Sequence, residues 1–253
     1  MNSLRAKQLR LCEGCLVTDL LDQVMLARPA NLSVVMETVR SFAPDVIVHT
    51  ACSYGRAGES SLDILDANYQ LGAALLQATL TCKNGQIVFL NTGTVLAPEV
   101  SLYALTKTQF SQWGMAHALQ RPQKLQFIDI RLQQMYGAGD DRSKFTTHVI
   151  DACRLGEPRL ALTHGEQRRD FIHINDVVHA YDVILSQHAE LADCDTIDVG
   201  SGEAVRIRDF VEHVRRLTGG PTVLDFGAVP YRTAEAMLCL ADTTRLRALG
   251  WVP

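Results

Sequence analysis

The sequence predicts a doubly wound parallel α/β sheet with a smaller C-terminal lobe. Three observations carry that expectation: short apolar runs spaced through the first half, apolar-rich helical stretches between them, and hydroxyl residues gathered at the end of the middle run. Val46-Ile-Val-His49 reads as a strand, and Leu62 to Leu80 as a helix buried against a sheet. Gln86-Ile-Val-Phe-Leu90, bounded by Asn84-Gly85 and Gly93, predicts a buried parallel strand with Thr92 and Thr94 just past its carboxyl end. Tyr103 to Leu119 predicts the next helix and Phe127-Ile-Asp-Ile130 the next strand, completing β-α-β-α-β. Beyond Gly137 the elements shorten. They are a helix near His148 to Leu155, the turn Gly156-Glu-Pro158, a strand near Leu160 to Leu162, and a mixed run from Phe171 to Ile184. No repeat or flexible linker separates the two parts, which are expected to form one compact unit.

Composition excludes several functions. A chain of 253 residues with net charge −4 offers no broad basic surface, so nucleic acid is not the expected partner. No window reaches the ~18 apolar residues of a membrane span, and the N-terminal residues lack the apolar core of a signal peptide, so no membrane association and a cytoplasmic location are expected. Seven scattered cysteines argue for reduced thiols. Cys12-Glu-Gly-Cys15 has metal or redox spacing but no second pair and no nearby His. It is read as structural, and no metal is expected.

Tyr103 and Lys107 are the most informative residues. Four apart on a helix, they share one face. An ammonium beside a phenol is expected to lower the phenol pKa and prepare it to exchange a proton with a carbonyl or alcohol oxygen. The spacing alone arises by chance in about one of eight chains of this composition, so its context decides. That context is a strand ending in hydroxyls, at the edge where open α/β sheets bind ligands. Thr92 is the expected partner that orients the substrate oxygen, with Thr94 as the alternative.

Seven segments then occur in an order that resembles the extended short-chain dehydrogenases/reductases, the NAD-dependent epimerase/dehydratase group acting on sugar nucleotides. They are Val46-Ile-Val-His-Thr-Ala51, Asn68, Phe89-Leu-Asn-Thr92, Tyr103-x-x-x-Lys107, Arg131-Leu-Gln-Gln-Met-Tyr-Gly137, Arg169-Asp-Phe-Ile-His-Ile-Asn-Asp176 and Asp198-Val-Gly-Ser-Gly-Glu203. Tyr54-Gly-Arg56, Asn91-Thr-Gly-Thr94, Tyr136 to Phe145 and Pro230-Tyr-Arg-Thr-Ala-Glu235 look most like the abequose/paratose synthase-like branch, which reduces the 4-keto group of a nucleotide-linked 6-deoxyhexose. The resemblance covers about Val46 to Pro253. It implies a Rossmann-like core over 1–137, a lobe over 138–253 that mainly binds the sugar nucleotide, and NAD or NADP as cofactor. It also implies a homodimer through the helices around 62–80 and 103–119. The family's Gly-rich opening turn does not occur before Val46, so the core is expected to be N-terminally truncated or diverged.

The resemblance assigns roles residue by residue. Tyr103 is the proton donor, Lys107 the group that lowers its pKa and holds the cofactor ribose, and Thr92 the orienting hydroxyl. Asp19 and Leu20 are loosely matched to an adenine contact, and Ala51 to the cofactor ribose. Thr94, Tyr54, Arg56, Lys144 and Arg232 are candidates for substrate, Arg232 through a bidentate diphosphate contact. Asn68 has an architectural role and His49 is a core residue. Gly93-Thr94 stands where sugar-nucleotide dehydratases carry an Asp-Glu pair, which disfavours dehydration. Reduction and 4-epimerisation both stay open, with the branch resemblance favouring reduction. A relative that has lost catalysis and acts as a binding or regulatory module is the alternative.

Overall fold

A computed structural model describes residues 32–82, 85–232 and 235–253. Helix α1 (Leu32–Phe42) buries Val35 and Val39 against the sheet and leads into β1 (Val46–His49). Ser60 caps α2 (Ser61–Leu65) in a reciprocal box with Asp63, and a π-helical turn (Asp66–Gln70) joins α2 to α3 (Leu71–Thr81). The single helix expected over 62–80 is therefore interrupted at Asn68. That fully buried side chain accepts from Ser53 N–H (2.7 Å) and donates to Ser53 C=O (2.9 Å) and to Thr106 Oγ1 (3.1 Å). The extra residue in the turn aims Asn68 at the loop after β1 and ties that loop to the following helix.

Strand β2 (Ile87–Thr94) pairs in parallel with β1 and with β3 (Leu125–Leu132). It runs past Leu90, where the sequence suggested an end, because pairing continues to Thr94 opposite Leu132. Thr92 and Thr94 thus belong to the strand itself. Between β2 and β3 lies α4 (Leu102–Gln120), capped by Ser101, whose hydroxyl accepts from Ala104 N–H. Phe110 of α4 packs edge-on to Phe127, which stacks on Phe89. Two glycines permit this close approach: a Cβ on Gly114 would meet the Phe127 ring at 2.2 Å, and one on Gly72 the Phe110 ring at 2.4 Å.

After β4 (Gln134–Tyr136) come α5 (Phe145–Leu155), β5 (Arg159–Leu162), β6 (Arg168–His173) and α6 (Ile174–Ser186). The chain then returns to the main sheet as β7 (Cys194–Val199), parallel to β3, giving the order β1-β2-β3-β7. The main sheet therefore takes its fourth strand from well beyond Gly137. β8 (Ala204–Arg206), α7 (Ile207–Thr218), β9 (Val223–Phe226), β10 (Leu238–Cys239) and α8 (Thr244–Ala248) complete the second half. There β10-β6-β4 form one small sheet with β8 antiparallel to β6, and β5 pairs with β9. The main sheet carries one apolar cluster against α1, α3 and α4 and a second against α6, where Trp251 is fully buried and donates to Asp176 C=O. A third cluster lies between α5 and α7.

Polar links fasten β7 and the turn that follows it to their neighbours. Arg131 and Asp198, register partners on β3 and β7, form an ion pair at 2.6 Å. Asp170, fully buried on β6, accepts from Ser201 N–H (2.6 Å), Ser201 Oγ–H (2.7 Å), Gly202 N–H (3.0 Å) and Ala241 N–H (3.2 Å). Replacing this carboxylate leaves buried donors without an anion. We expect Asp170→Asn to lower unfolding free energy by about 3 kcal/mol in urea titration, and a loss under about 1 kcal/mol would contradict this role.

Candidate active site

The carboxyl ends of β1 and β2 and the first turns of α4 bring several expected residues to one place. Tyr103 is partly buried at the start of α4, and the hydroxyls of Thr94 and Tyr54 bear on its phenol. The Tyr54 ring lies 4.8 Å from the Tyr103 ring, centroid to centroid. Around Tyr54 stand the Arg56 guanidinium, 5.1 Å from its centroid, and the Lys144 ammonium at 6.0 Å. Lys144 pairs with Asp140 at 2.8 Å, and Arg56 donates to Ser143 C=O at 3.4 Å, so the 137–144 loop closes over the loop after β1. The Cys52 thiol lies beside the Tyr54 hydroxyl. Ala51 packs on the core at the carboxyl end of β1.

Thr92 is placed differently from Thr94. Its hydroxyl lies 2.6 Å from that of Tyr181 on α6, a residue the sequence reading did not single out. Arg232 stands exposed on the loop between β9 and β10 and, among the described residues, makes no hydrogen bond or ion pair to the Tyr103 group. Asp19, Leu20 and the Cys12/Cys15 pair lie outside the described residues. Among the described residues no group of His, Cys, Asp and Glu is arranged to hold a metal.

The electrostatics differ from the sequence expectation. Tyr103 is held above the ordinary phenol range, because burial outweighs the Thr94 and Tyr54 hydrogen bonds and the Arg56 charge, which pull the other way. The phenol therefore stays protonated, the form a proton donor needs. Lys107 is 1 % exposed, burial holds it below the ordinary amine range, and its Nζ has no hydrogen-bond partner among the described residues. A buried, unpartnered donor beside the protonated phenol, with the small Ala51 nearby, fits a polyhydroxyl group such as the ribose of a dinucleotide.

Beneath this cluster runs a polar row that only the register reveals. His49, Asn91 and Asp129 are cross-strand neighbours on β1, β2 and β3, on the face covered by α4. Asn91 Nδ2 donates to Asp129 Oδ1 (2.6 Å) and to Ser111 Oγ (3.1 Å), and the Ser111 hydroxyl donates to the same carboxylate oxygen (2.7 Å). Asn91 Oδ1 therefore faces His49 Nδ1 at 3.1 Å, which assigns the proton to Nδ1 and leaves Nε2 an acceptor, buried and without a partner among the described residues. The signal for this row was an acidic residue inside the apolar run Phe127-Ile-Asp-Ile130.

Comparison with known proteins identifies the family and the fold. The description of the NAD dependent epimerase/dehydratase family matches residues 20–200. CDP-abequose synthase of Salmonella typhimurium is 33% identical over 215 residues, covering 82% of this chain and 71% of the relative. That of Salmonella muenchen is 29% identical over 211 residues, covering 81% and 70%. Among solved structures, the Thermus thermophilus UDP-glucose 4-epimerase in complex with NAD superposes with a TM-score of 0.72 at 21% identity, over 90% of this chain and 78% of that one.

Burial and the Lys107 charge push His49 down to about 3, against 6.5 when free. The unfolded chain takes up this proton as pH falls through 6.5 and the folded chain only near 3, so stability is full above 6.5 and declines across that window. Between pH 6.5 and 4.5 we expect the parent to lose about 2 kcal/mol more than His49→Gln in urea unfolding, and equal losses would remove His49 from the acid limb.

Proposed function

The chain belongs to the NAD dependent epimerase/dehydratase family, and we propose that it is a cytoplasmic NAD(P)H-dependent reductase of the 4-keto group of a nucleotide-linked 6-deoxyhexose. The cofactor of this family is NAD or NADP. One observation supports the reading above others: a protonated, partly buried phenol at Tyr103 beside the Thr94 hydroxyl, with the Lys107 amine, which has no hydrogen-bond partner among the described residues, one helical turn away. The relatives named CDP-abequose synthase support a CDP-linked sugar as the first substrate to try.

In the mechanism, Lys107 would hold the cofactor ribose, with Ala51 leaving room at the end of β1. When bound, the reduced nicotinamide supplies the hydride that adds to C4 of the sugar. Tyr103 transfers its hydroxyl proton to the oxygen at that carbon, completing the alcohol. The hydroxyls of Thr94 and Tyr54, which bear on the phenol, stabilise the tyrosinate left behind, and the Arg56 charge adds to that. Thr92, anchored by Tyr181, stands on the same face of β2 as Thr94 and is the second hydroxyl available to the substrate oxygen. Arg56 and Lys144 supply positive charge at the mouth for the substrate diphosphate. Arg232 is a more distal contact for the same group.

Gly93-Thr94 supplies no acid-base pair for water loss. A 4-epimerase needs the same residues as a reductase. The two are separated by stoichiometry, since reduction consumes one NAD(P)H per sugar and epimerisation consumes none. With CDP-, UDP-, dTDP- and GDP-linked 4-keto-6-deoxyhexoses, we expect net loss of absorbance at 340 nm, fastest with CDP. Product formation without net oxidation would establish the epimerase, and no binding of NADPH or sugar nucleotide would favour a non-catalytic module. Tyr103→Phe should lower kcat by about 10³-fold with an unchanged melting temperature, and a loss under about tenfold would remove Tyr103 as the donor.

We also propose a homodimer through α2, α3 and α4. A groove of ≈ 440 Å³ lies between α4 and the end of α2 with its π-helical turn, lined by Leu65, Tyr69, Gln109, Gln112, Trp113 and Ala116. Trp113 is 47% exposed there, and Leu62 and Leu119 are also exposed. Sedimentation should give a dimer for the parent and a monomer for Trp113→Glu, and a parent that sediments as a monomer would refute the pairing.

A further inference from the structure

Asp129 takes no part in the chemistry above, yet it is 4 % exposed directly below the catalytic residues. Its position relative to Lys107 follows from two spacings. Ser111 and Lys107 are four apart on α4 and share a face, and Ser111 bonds the Asp129 carboxylate, so Lys107 stands one turn nearer the sheet edge above the same strands. On β2 the residue two places nearer that edge than Asn91 is Gly93. A Cβ on Gly93 would come within 2.7 and 2.9 Å of the two Asp129 carboxylate oxygens. The carboxylate thus occupies the space that a side chain at 93 would fill, and it leans toward the edge where Lys107 lies.

A fully buried ammonium without a partner tends to give up its proton, and a buried carboxylate tends to take one. Both tendencies operate here, and the charge of each group opposes the shift of the other. The other titratable groups bearing on Lys107 are Cys52, on the loop after β1, and His49 on β1. Those bearing on Asp129 are Arg131 on its own strand, Tyr181 on α6 and Cys194 on β7. His49 stays neutral in this setting, and Asp129 is the carboxylate among the groups that bear on Lys107.

We propose that Asp129 is a positioning residue that acts through Lys107: held by Asn91 and Ser111 and given room by Gly93, it is the buried counter-charge that keeps the Lys107 amine an ammonium facing the cofactor ribose. The contact to ribose rests on the function proposed above; the pairing of the two charges does not. Gly93 and Asp129 are consequently linked, since any side chain at 93 displaces the counter-charge.

The test reads the pair without turnover. In protein labelled with [ε-13C]lysine, the Lys107 resonance is identified by its loss in Lys107→Met and followed with pH by NMR. Asp129→Asn, which keeps the shape, should move the Lys107 midpoint down by about one pH unit, a tenfold smaller ammonium-to-amine ratio at fixed pH; a shift under about 0.3 unit overturns the proposal. The reciprocal arm, with [γ-13C]aspartate in the parent and Lys107→Met, should show the Asp129 midpoint rising, and it stands if Asp129→Asn does not fold; an unmoved midpoint likewise overturns the proposal. NADPH affinity of Asp129→Asn should match the parent at pH 6 and fall about tenfold below it at pH 9, whereas equal weakening at both values would mark a merely structural residue. If the parent lacks turnover but the NMR arms succeed, the function proposed above fails and the charge pair stands. Turnover with unmoved midpoints gives the converse.

Discussion

Lys107 carries its amine into the protein interior with no hydrogen-bond partner among the described residues, and the surrounding structure is arranged around that cost. The helix that bears it must approach the sheet closely, which Gly72 and Gly114 allow by letting the Phe110 and Phe127 rings interlock where side chains would otherwise stand. The strand beneath must leave space, which Gly93 does. The same low-dielectric setting keeps the Tyr103 phenol protonated and His49 neutral, so the site rests with its acid loaded.

Around this centre the chain is tied together by groups that stabilise without reacting. Asn68 joins the loop after β1 to α4, so that Cys52, Tyr54 and Tyr103 meet at one place. Arg131 with Asp198, and Asp170 with the turn after β7, fasten the second half of the chain to the carboxyl edge of the main sheet. The 137–144 loop closes across the site through Lys144, Asp140 and the backbone of Ser143. Tyr54 and Tyr103 come from the first half of the chain, and Lys144, from the second, stands beside the Tyr54 ring.

The alternation of strands and helices was legible because burial imposes its own periodicity: β1 spans Val46 to His49 as expected, and α4 runs one residue beyond its expected ends on each side. Tyr103 and Lys107 were legible because helical spacing fixes which side chains share a face. The π-helical turn at Asn68 was not, since it follows from contacts with Ser53 and Thr106, 15 and 38 residues away. Nor was the meeting of Thr94, rather than Thr92, with Tyr103. Both threonines point to the same side of β2, and only the extension of the strand to Leu132's partner position sets which one reaches the phenol.

From the sequence alone come the α/β class, the family, the cofactor type and the shared helical face of Tyr103 and Lys107, all of which depend on local spacing and ordered short motifs. The polar row of His49, Asn91 and Asp129, the anchoring of Thr92 by Tyr181 and the direction of the Tyr103 shift depend on which strands lie side by side and how deeply they are covered. Residues 42 and 38 positions apart become neighbours only when the register is set. A pKa depends on the balance between burial and nearby charge, and that balance exists only once the chain has closed on itself.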